Sequence, residues 1–129
     1  MIREFKETDY DLLSKWWEAR GVFGASLDML PPSGFVYLDG GEPIAMVFLY
    51  ITNSSVGFVE WLTTSPNRDL LTARTACDRL EQHLETIAFN FEIKHLLGWV
   101  RQGGMEKEAV RNGYHLGDHQ VTHIYKEVL

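Results

Sequence analysis

The stretch VGFVEWLTT (56–64) has the look of a β-strand and carries a single charged residue, Glu60. Strand alternation puts the Glu60 carboxylate on the face of Val56, Phe58 and Leu62 and sends Trp61 to the opposite face. A carboxylate among apolar neighbours loses solvation, which raises its pKa and suits it to accept a proton as a general base. The bland alternative is a glutamate at the solvent rim or paired with a basic side chain, because charged residues are rarely buried alone. Both stay open on the residues alone.

Directly after this stretch comes SPNRDLLTARTA (65–76), which leads into a long helical pattern. A strand, a tight loop and a helix start in that order can hold a phosphate, since the first main-chain N–H groups of a helix lack internal partners and the helix dipole favours negative charge there. Such loops usually carry glycines where the backbone must approach closely, and this one has none. The alternative is that Ser65 or Asn67 simply caps an ordinary helix. The two uses are not exclusive.

Other reactive residue types carry less. His115, His119 and His123 have helical ligand spacing, but Gly117 and Asp118 break a helix there, and a strand would bring only His119 and His123 to one face. A metal needs three or four converging ligands, so none is expected. Cys77 falls on an apolar helix stripe without an obvious His partner and is read as core rather than nucleophile. Trp16 and Trp17 are adjacent on a helix, which predicts one in the core and the other at a rim or contact surface.

The elements that must position these residues follow from pattern. MIREF is a short strand. Thr8 and Asp11 resemble a capping box ahead of a helix with Leu12, Leu13, Trp16 and Trp17, closed by Gly21. Residues 22–33 are a loop, or a short irregular helix and then a loop. GFVYL (34–38), the turn DGGE (39–42) and PIAMVFLYIT (43–52) signal a hairpin, with Gly40 and Gly41 supplying positive φ. VGFVEWLTT is the next strand. A helix follows over about 69–89, with Ala73, Cys77, Leu80, Leu84, Ile87 and Ala88 in one stripe. KHLLGWV (94–100) is a strand, 104–112 a short helix ended by Gly113, and QVTHIYKEV (120–128) a final strand.

The 129 residues are expected to form a single domain, 1–129, with a core large enough to need no staple. A formal net charge of −6 with scattered Lys and Arg argues against nucleic-acid binding. The longest apolar run, IAMVFLYI, falls far below the roughly 20 residues of a membrane helix, so no membrane partner is expected. The acidic start MIREFKETDYD does not read as a signal peptide, and the lone cysteine fits a reducing compartment; a cytoplasmic location is the expectation.

The order strand-helix-hairpin-strand-helix-strand-helix-strand resembles the GNAT superfamily, the acyl-CoA-dependent N-acyltransferases, over nearly the whole chain. EWLTTSPNRDLLTARTACDRLEQHL, KHLLGWVRQ and RNGYHL carry the likeness, the last with Gly113-Tyr114 where the family has Gly-Phe before its final strand. The hairpin wording LPPSGFVYLDGGEPIAMVFLYITNSSVGFVEWL looks like short, phage-type members. The resemblance implies an α/β (α+β) fold: a mixed, mainly antiparallel central sheet of about six strands flanked by three to four helices. It implies transfer of an acetyl group from acetyl-CoA, as co-substrate, to an amine such as a protein lysine, a protein N-terminus or a small amine. Glu60 would be the base. The main chain near Leu62 and Thr64 would pair with the pantetheine arm, and Arg68, Asp69, Leu70, Leu71, Thr72 and Ala73 would meet the pyrophosphate. Gln102 would stand where the family has a cofactor-side Asn.

The loop departs from the family pattern of R/Q-x-x-G-x-G/A. Counted from Arg68, Leu71 replaces the first glycine and Ala73 is acceptable; counted from Pro66 with Asp69 leading, both glycines are lost. The family's Tyr proton donor corresponds to Ala109, while Tyr114 and Tyr125 read as core or sheet aromatics. These losses support a second reading: a catalytically weak or inactive GNAT-fold module that binds a protein partner, as an inhibitor for example. Homo-oligomers are compatible with either.

Overall fold

A computed structural model describes residues 1–129. The chain divides into two compact units, Met1–Trp99 and Val100–Leu129. The first unit holds a five-stranded sheet in the order β1-β2-β3-β4-β5: β1 Ile2–Glu4, β2 Gly34–Asp39, β3 Glu42–Ile51, β4 Val56–Thr64 and β5 His95–Gly98. The first four strands are antiparallel neighbours, and β5 runs parallel to β4. Helix α1 (Tyr10–Arg20) and helix α2 (Leu70–Asn90) belong to the same unit.

The two sheet faces have separate cores. On one, Phe35, Ala45, Val47 and Leu49 meet Ala76, Leu80 and Leu84 of α2; on the other, Val36, Met46 and Phe48 meet Leu13, Trp16 and Trp17 of α1. Strand β3 is therefore covered on both sides. This explains why its sequence reads as an unbroken apolar run rather than an alternating one. The hairpin before it turns on Gly40 and Gly41 with φ of 58° and 84°, both in the region that glycine adopts freely.

Local details depart from expectation. The entry to α1 is organised by Asp9, not by Thr8 and Asp11: a 3-10 turn spans Glu7–Asp9, and Asp9 Oδ2 accepts the Lys6 N–H at 2.8 Å. Arg3 grips the same carboxylate with two hydrogen bonds, 2.8 and 2.9 Å, which hold Asp9 below the usual carboxylate range. Trp16 and Trp17 are both buried, not split between core and rim. The loop after α1 folds back over Trp17, whose indole Nε1 donates to Thr63 Oγ1 at 2.9 Å.

The second unit contains α3 (Gly104–Arg111), closed at Gly113, whose N–H donates to Val110 O. The expected final strand over 120–128 is not formed. Its alternation is weak: Val121, Ile124, Tyr125 and Val128 are interleaved with His, Lys and Glu, and all four are exposed. The sheet thus has five strands rather than about six. No helix is long and apolar enough to cross a membrane.

Candidate active site

β4 matches its expected range, but it is not regular. Phe48 pairs with Glu60 and Met46 with Thr63, so the single residue Val47 faces both Trp61 and Leu62. Two residues against one is a β-bulge, and Trp61 absorbs it with φ of 61°. For a bulky aromatic residue that conformation costs about 1–3 kcal/mol. The bulge resets the side-chain alternation. Leu62 packs with Val59 on the α2 face, whereas Trp61 joins Phe48, Tyr50 and Trp17 on the α1 face. Glu60, opposite in phase to Val59, therefore shares a side with Trp61 and not with Leu62. This reverses the pairing that simple alternation predicts.

A small cluster results. Trp61 Nε1 donates to the Tyr50 hydroxyl at 2.9 Å, and that hydroxyl donates to Met29 O at 2.8 Å. Glu60 is half-buried, and burial pushes its pKa up. Burial also raises Tyr50, with the Glu60 charge adding to the rise and the Trp61 N–H opposing it. The carboxylate has the environment that the sequence predicts, though its neighbours differ. The upward direction is the one that general-base work calls for in a carboxylate.

The outer edge of β4 adds a second feature. Its ladder with β5 runs only from Val56 to Val59, ending at Gly98. From Glu60 to Thr64 that edge has no strand beside it, so main-chain groups there can pair with an extended ligand. Leu62 lies within this free edge with its side chain in the α2-side core. The Thr64 oxygens are already engaged, because Arg20 donates to Thr64 O at 2.9 Å and to Thr64 Oγ1 at 2.8 Å.

The mouth of α2 answers the question its sequence raises. Neither Ser65 nor Asn67 caps it; Asp69 does. Asp69 Oδ1 accepts the Thr72 N–H at 2.8 Å, and Oδ2 accepts the Thr72 hydroxyl at 3.0 Å. These bonds, together with the nearby Leu71 amide, hold the Asp69 carboxyl below its usual range. Arg68 pairs with Glu42 from the start of β3. Leu70 and Leu71 are 84% and 74% exposed, so Leu71 does not plug the helix mouth, and Ala73 N–H donates to Asp69 O. An anion already sits on these amides: the chain's own carboxylate. Any diphosphate at this helix mouth would have to displace Asp69 from these amides or share them with it.

Arg68, Ser65 and Asn67 also line a cleft of about 380 Å³ against Leu12 and Trp16 of α1. It shares no lining residue with the Glu60 cluster. Gln102 is exposed in the turn before α3, within the second unit. No group of three or more His, Cys, Asp or Glu converges as metal ligands.

Sequence reasoning did not single out Tyr50, Phe23 or the placement of Trp61. Phe23 stacks over Trp61 with ring centroids 6.1 Å apart, and Trp61 meets Trp17 edge-on at 5.6 Å. The available signal was an aromatic residue between two glycines, in GVFG. A Cβ at Gly24 would come within 2.3 Å of the Trp17 ring, so only glycine lets this loop lie flat on it.

No protein-family model and no curated protein matches the chain. Solved structures do match it. A protein from Thermus thermophilus aligns over 99% of this chain and 98% of its own, with TM-score 0.72 and 15% identity. Rv2747 of Mycobacterium tuberculosis, solved in complex with CoA, aligns over 95% of this chain and 76% of its own, with TM-score 0.70 and 14% identity. An aminoglycoside acetyltransferase from an uncultured soil metagenomic sample, in complex with sisomicin, covers 99% and 95% with TM-score 0.70 and 14% identity. The chain has the GNAT fold.

Proposed function

We propose that this GNAT-fold chain transfers an acetyl group from acetyl-CoA to an amine, with Glu60 as the base. The observation that carries the reading is the coincidence of a half-buried carboxylate of raised pKa with a strand edge left open from Glu60 to Thr64. Acetyl transfer needs both: an extended slot to present a thioester, and a proton acceptor beside it. In the reaction Glu60 removes a proton from the ammonium form of the acceptor. The amine nitrogen then bonds to the thioester carbonyl carbon, the carbon–sulfur bond breaks, and the second proton shed by the nitrogen passes through water to the departing thiolate. Leu62 and its neighbours on the β4 edge hold the pantetheine arm through their main chain, and Arg68 with the α2 amides meets the diphosphate. The structural neighbours support acetyl transfer in general and leave the acceptor open.

The Asp69 cap favours a second reading, a module of the same fold that binds a protein without using CoA. Thermal unfolding with and without CoA separates the two. A ligand at 100 times its dissociation constant stabilises a one-site protein by about 2.7 kcal/mol, a visible rise in Tm for a domain of this size. The expected result is that rise, with thiol release from acetyl-CoA when an amine is supplied. No shift at millimolar CoA sinks the enzyme reading.

A further inference from the structure

The open edge of β4 ends on a cation. Ser65 N–H donates to Ile44 O of β3 at 2.7 Å. A trans peptide points its carbonyl opposite to its N–H, so Thr64 O is turned away from β3 and out over the edge that β5 leaves free. Arg20, the last residue of α1, reaches that oxygen with Nε at 3.2 Å and Nη2 at 2.9 Å. Its Nη2 also donates to Thr64 Oγ1 at 2.8 Å. Earlier in the same turn Trp17 bonds Thr63, whose hydroxyl donates to Trp61 O at 2.8 Å. The last turn of α1 is thus stitched to the last two residues of β4, and the guanidinium is fixed in place.

A guanidinium has five N–H donors in a planar fork. The bonds to Thr64 use the Nε–H and both Nη2 hydrogens, which leaves the pair on Nη1 uncommitted on an exposed side chain. Arg3 is neutralised by Asp9 and Arg68 by Glu42, whereas Arg20 bonds only to neutral oxygens. Placement separates the arginines as well. Arg68 turns to the start of β3, on the inner side of β4, while Arg20 stands on the outer side. The α2 amides already hold Asp69. Of the two arginines at this end of β4, Arg20 is the uncompensated one on the open side.

We propose that Arg20 is an anion-binding residue that takes a phosphate group on Nη1 at the outer end of β4. The identity of that phosphate rests on the acetyltransferase reading: an extended thioester carrier lying along Glu60–Thr64 brings its diphosphate to the guanidinium as it leaves the strand. The grip then comes from a side chain of α1 instead of a glycine-lined helix mouth. Charge-assisted N–H···O⁻ bonds are the stronger kind, and a chain of formal net charge −6 needs a local cation to hold a polyanion.

The test is the binding of three ligands to ¹⁵N-labelled full-length protein: CoA, pantetheine, which lacks the phosphates, and inorganic pyrophosphate. Affinities are read from the amide resonances of Glu60–Ser65. The Arg20 Nε–H resonance, identified by its loss in Arg20→Gln, reports contact with the guanidinium. CoA and pyrophosphate are expected to move that resonance saturably, and pantetheine to move it far less. Arg20→Gln keeps an N–H donor for Thr64 O and removes the charge. It is expected to weaken CoA and pyrophosphate about three- to tenfold and to leave pantetheine affinity unchanged. Arg20→Lys is expected to fall between, since an ammonium lacks the planar fork that holds Thr64 and an anion at once. Equal losses for CoA and pantetheine assign Arg20 to holding the strand alone and overturn the proposal, as does an unmoved Nε–H resonance. CoA that binds wild type and Arg20→Gln equally also overturns it, and leaves the cofactor reading standing. Pyrophosphate binding that depends on Arg20, with no binding of CoA, refutes the cofactor reading and leaves the anion site.

Discussion

Glu60 and Asp69 lie nine positions apart on one continuous strand-loop-helix unit, and the fold treats their carboxylates in opposite ways. Glu60 is half-buried and pushed above the ordinary glutamate range by lost solvation. Asp69 is exposed and held below its range by amides at the start of α2. One group is partly desolvated at a cost; the other serves the helix. The signs for stability differ accordingly. The Glu60 contribution is fully present below the unfolded-state pKa of a glutamate and is lost as pH rises through the higher folded value. The Asp69 contribution is present above the unfolded aspartate value and is lost as pH falls through the lower folded one. An unpaired, partly desolvated carboxylate costs stability, and that contrast is the ground on which Glu60 is proposed as the functional member of the pair.

Removing the reactive carboxylate should have the largest effect. Glu60→Gln is expected to lower kcat/KM by about 10²- to 10⁴-fold, the usual worth of a positioned general base. The loss should be greatest above the Glu60 pKa, where wild type has its base ionised, and should shrink toward acid, where both proteins lack one. The same variant should raise Tm slightly at pH 7, because it removes a charge that folding desolvates. Steady-state rates and melting curves over pH 5–9 check both halves. A variant of equal activity, or one that melts lower at neutral pH, breaks the contrast between the two carboxylates.

Next in size is the scaffold of the bulge. Tyr50→Phe deletes one hydroxyl that bonds both the Trp61 indole and Met29 O. Two partly buried groups lose a partner, so a loss of about 1–3 kcal/mol is expected in urea unfolding. If the bulge is held mainly by ring packing, the loss falls near zero. The roles of Tyr50 and Trp61 would then have to be redrawn around Phe48 and Trp17.

The bulge also explains what was legible in the sequence and what was not. Strand and helix ranges on the sheet were readable because each apolar run has a partner layer: IAMVFL between α1 and α2, and Leu80 and Leu84 against β2 and β3. Glu60 was readable as a lone charge in an apolar strand. Its neighbours were not, because a two-against-one register is decided by pairing across β3, and no glycine in VGFVEWLTT announces it at the bulge itself. The α2 cap was missed for a related reason. Ser65, Asn67 and Asp69 are all good caps by type, and only the path of the loop past Ile44 selects the last. The absent strand at 120–128 shows the converse: strand-favouring residue types without a burying layer or clear alternation do not make a strand.

A gentler perturbation acts on the quiet carboxylate. Asp69→Gly removes the internal anion from the Leu71 and Thr72 amides while keeping a residue type that helix N-caps tolerate. CoA affinity by isothermal titration is expected to improve about two- to fivefold, the scale of one charge at a helix N-terminus. A small drop in Tm without ligand should accompany it. Unchanged affinity would mean that the diphosphate does not meet α2 at all, and would move the weight toward the partner-binding reading.

The smallest effects concern Arg68, the one cation in the helix-mouth loop Ser65–Asp69, and they are informative because two variants should diverge. Arg68 pairs with Glu42, an exposed contact worth less than about 0.5 kcal/mol to stability. Glu42→Gln and Arg68→Gln should therefore both leave urea midpoints nearly unchanged. If Arg68 serves the diphosphate, Arg68→Gln weakens CoA about two- to fivefold, whereas Glu42→Gln frees the guanidinium and leaves affinity equal or slightly tighter. If the pair only pins the loop to β3, both variants weaken CoA alike. Parallel losses would assign Arg68 to architecture, alongside Asp69, and leave the open edge of β4 as the sole grip on the cofactor.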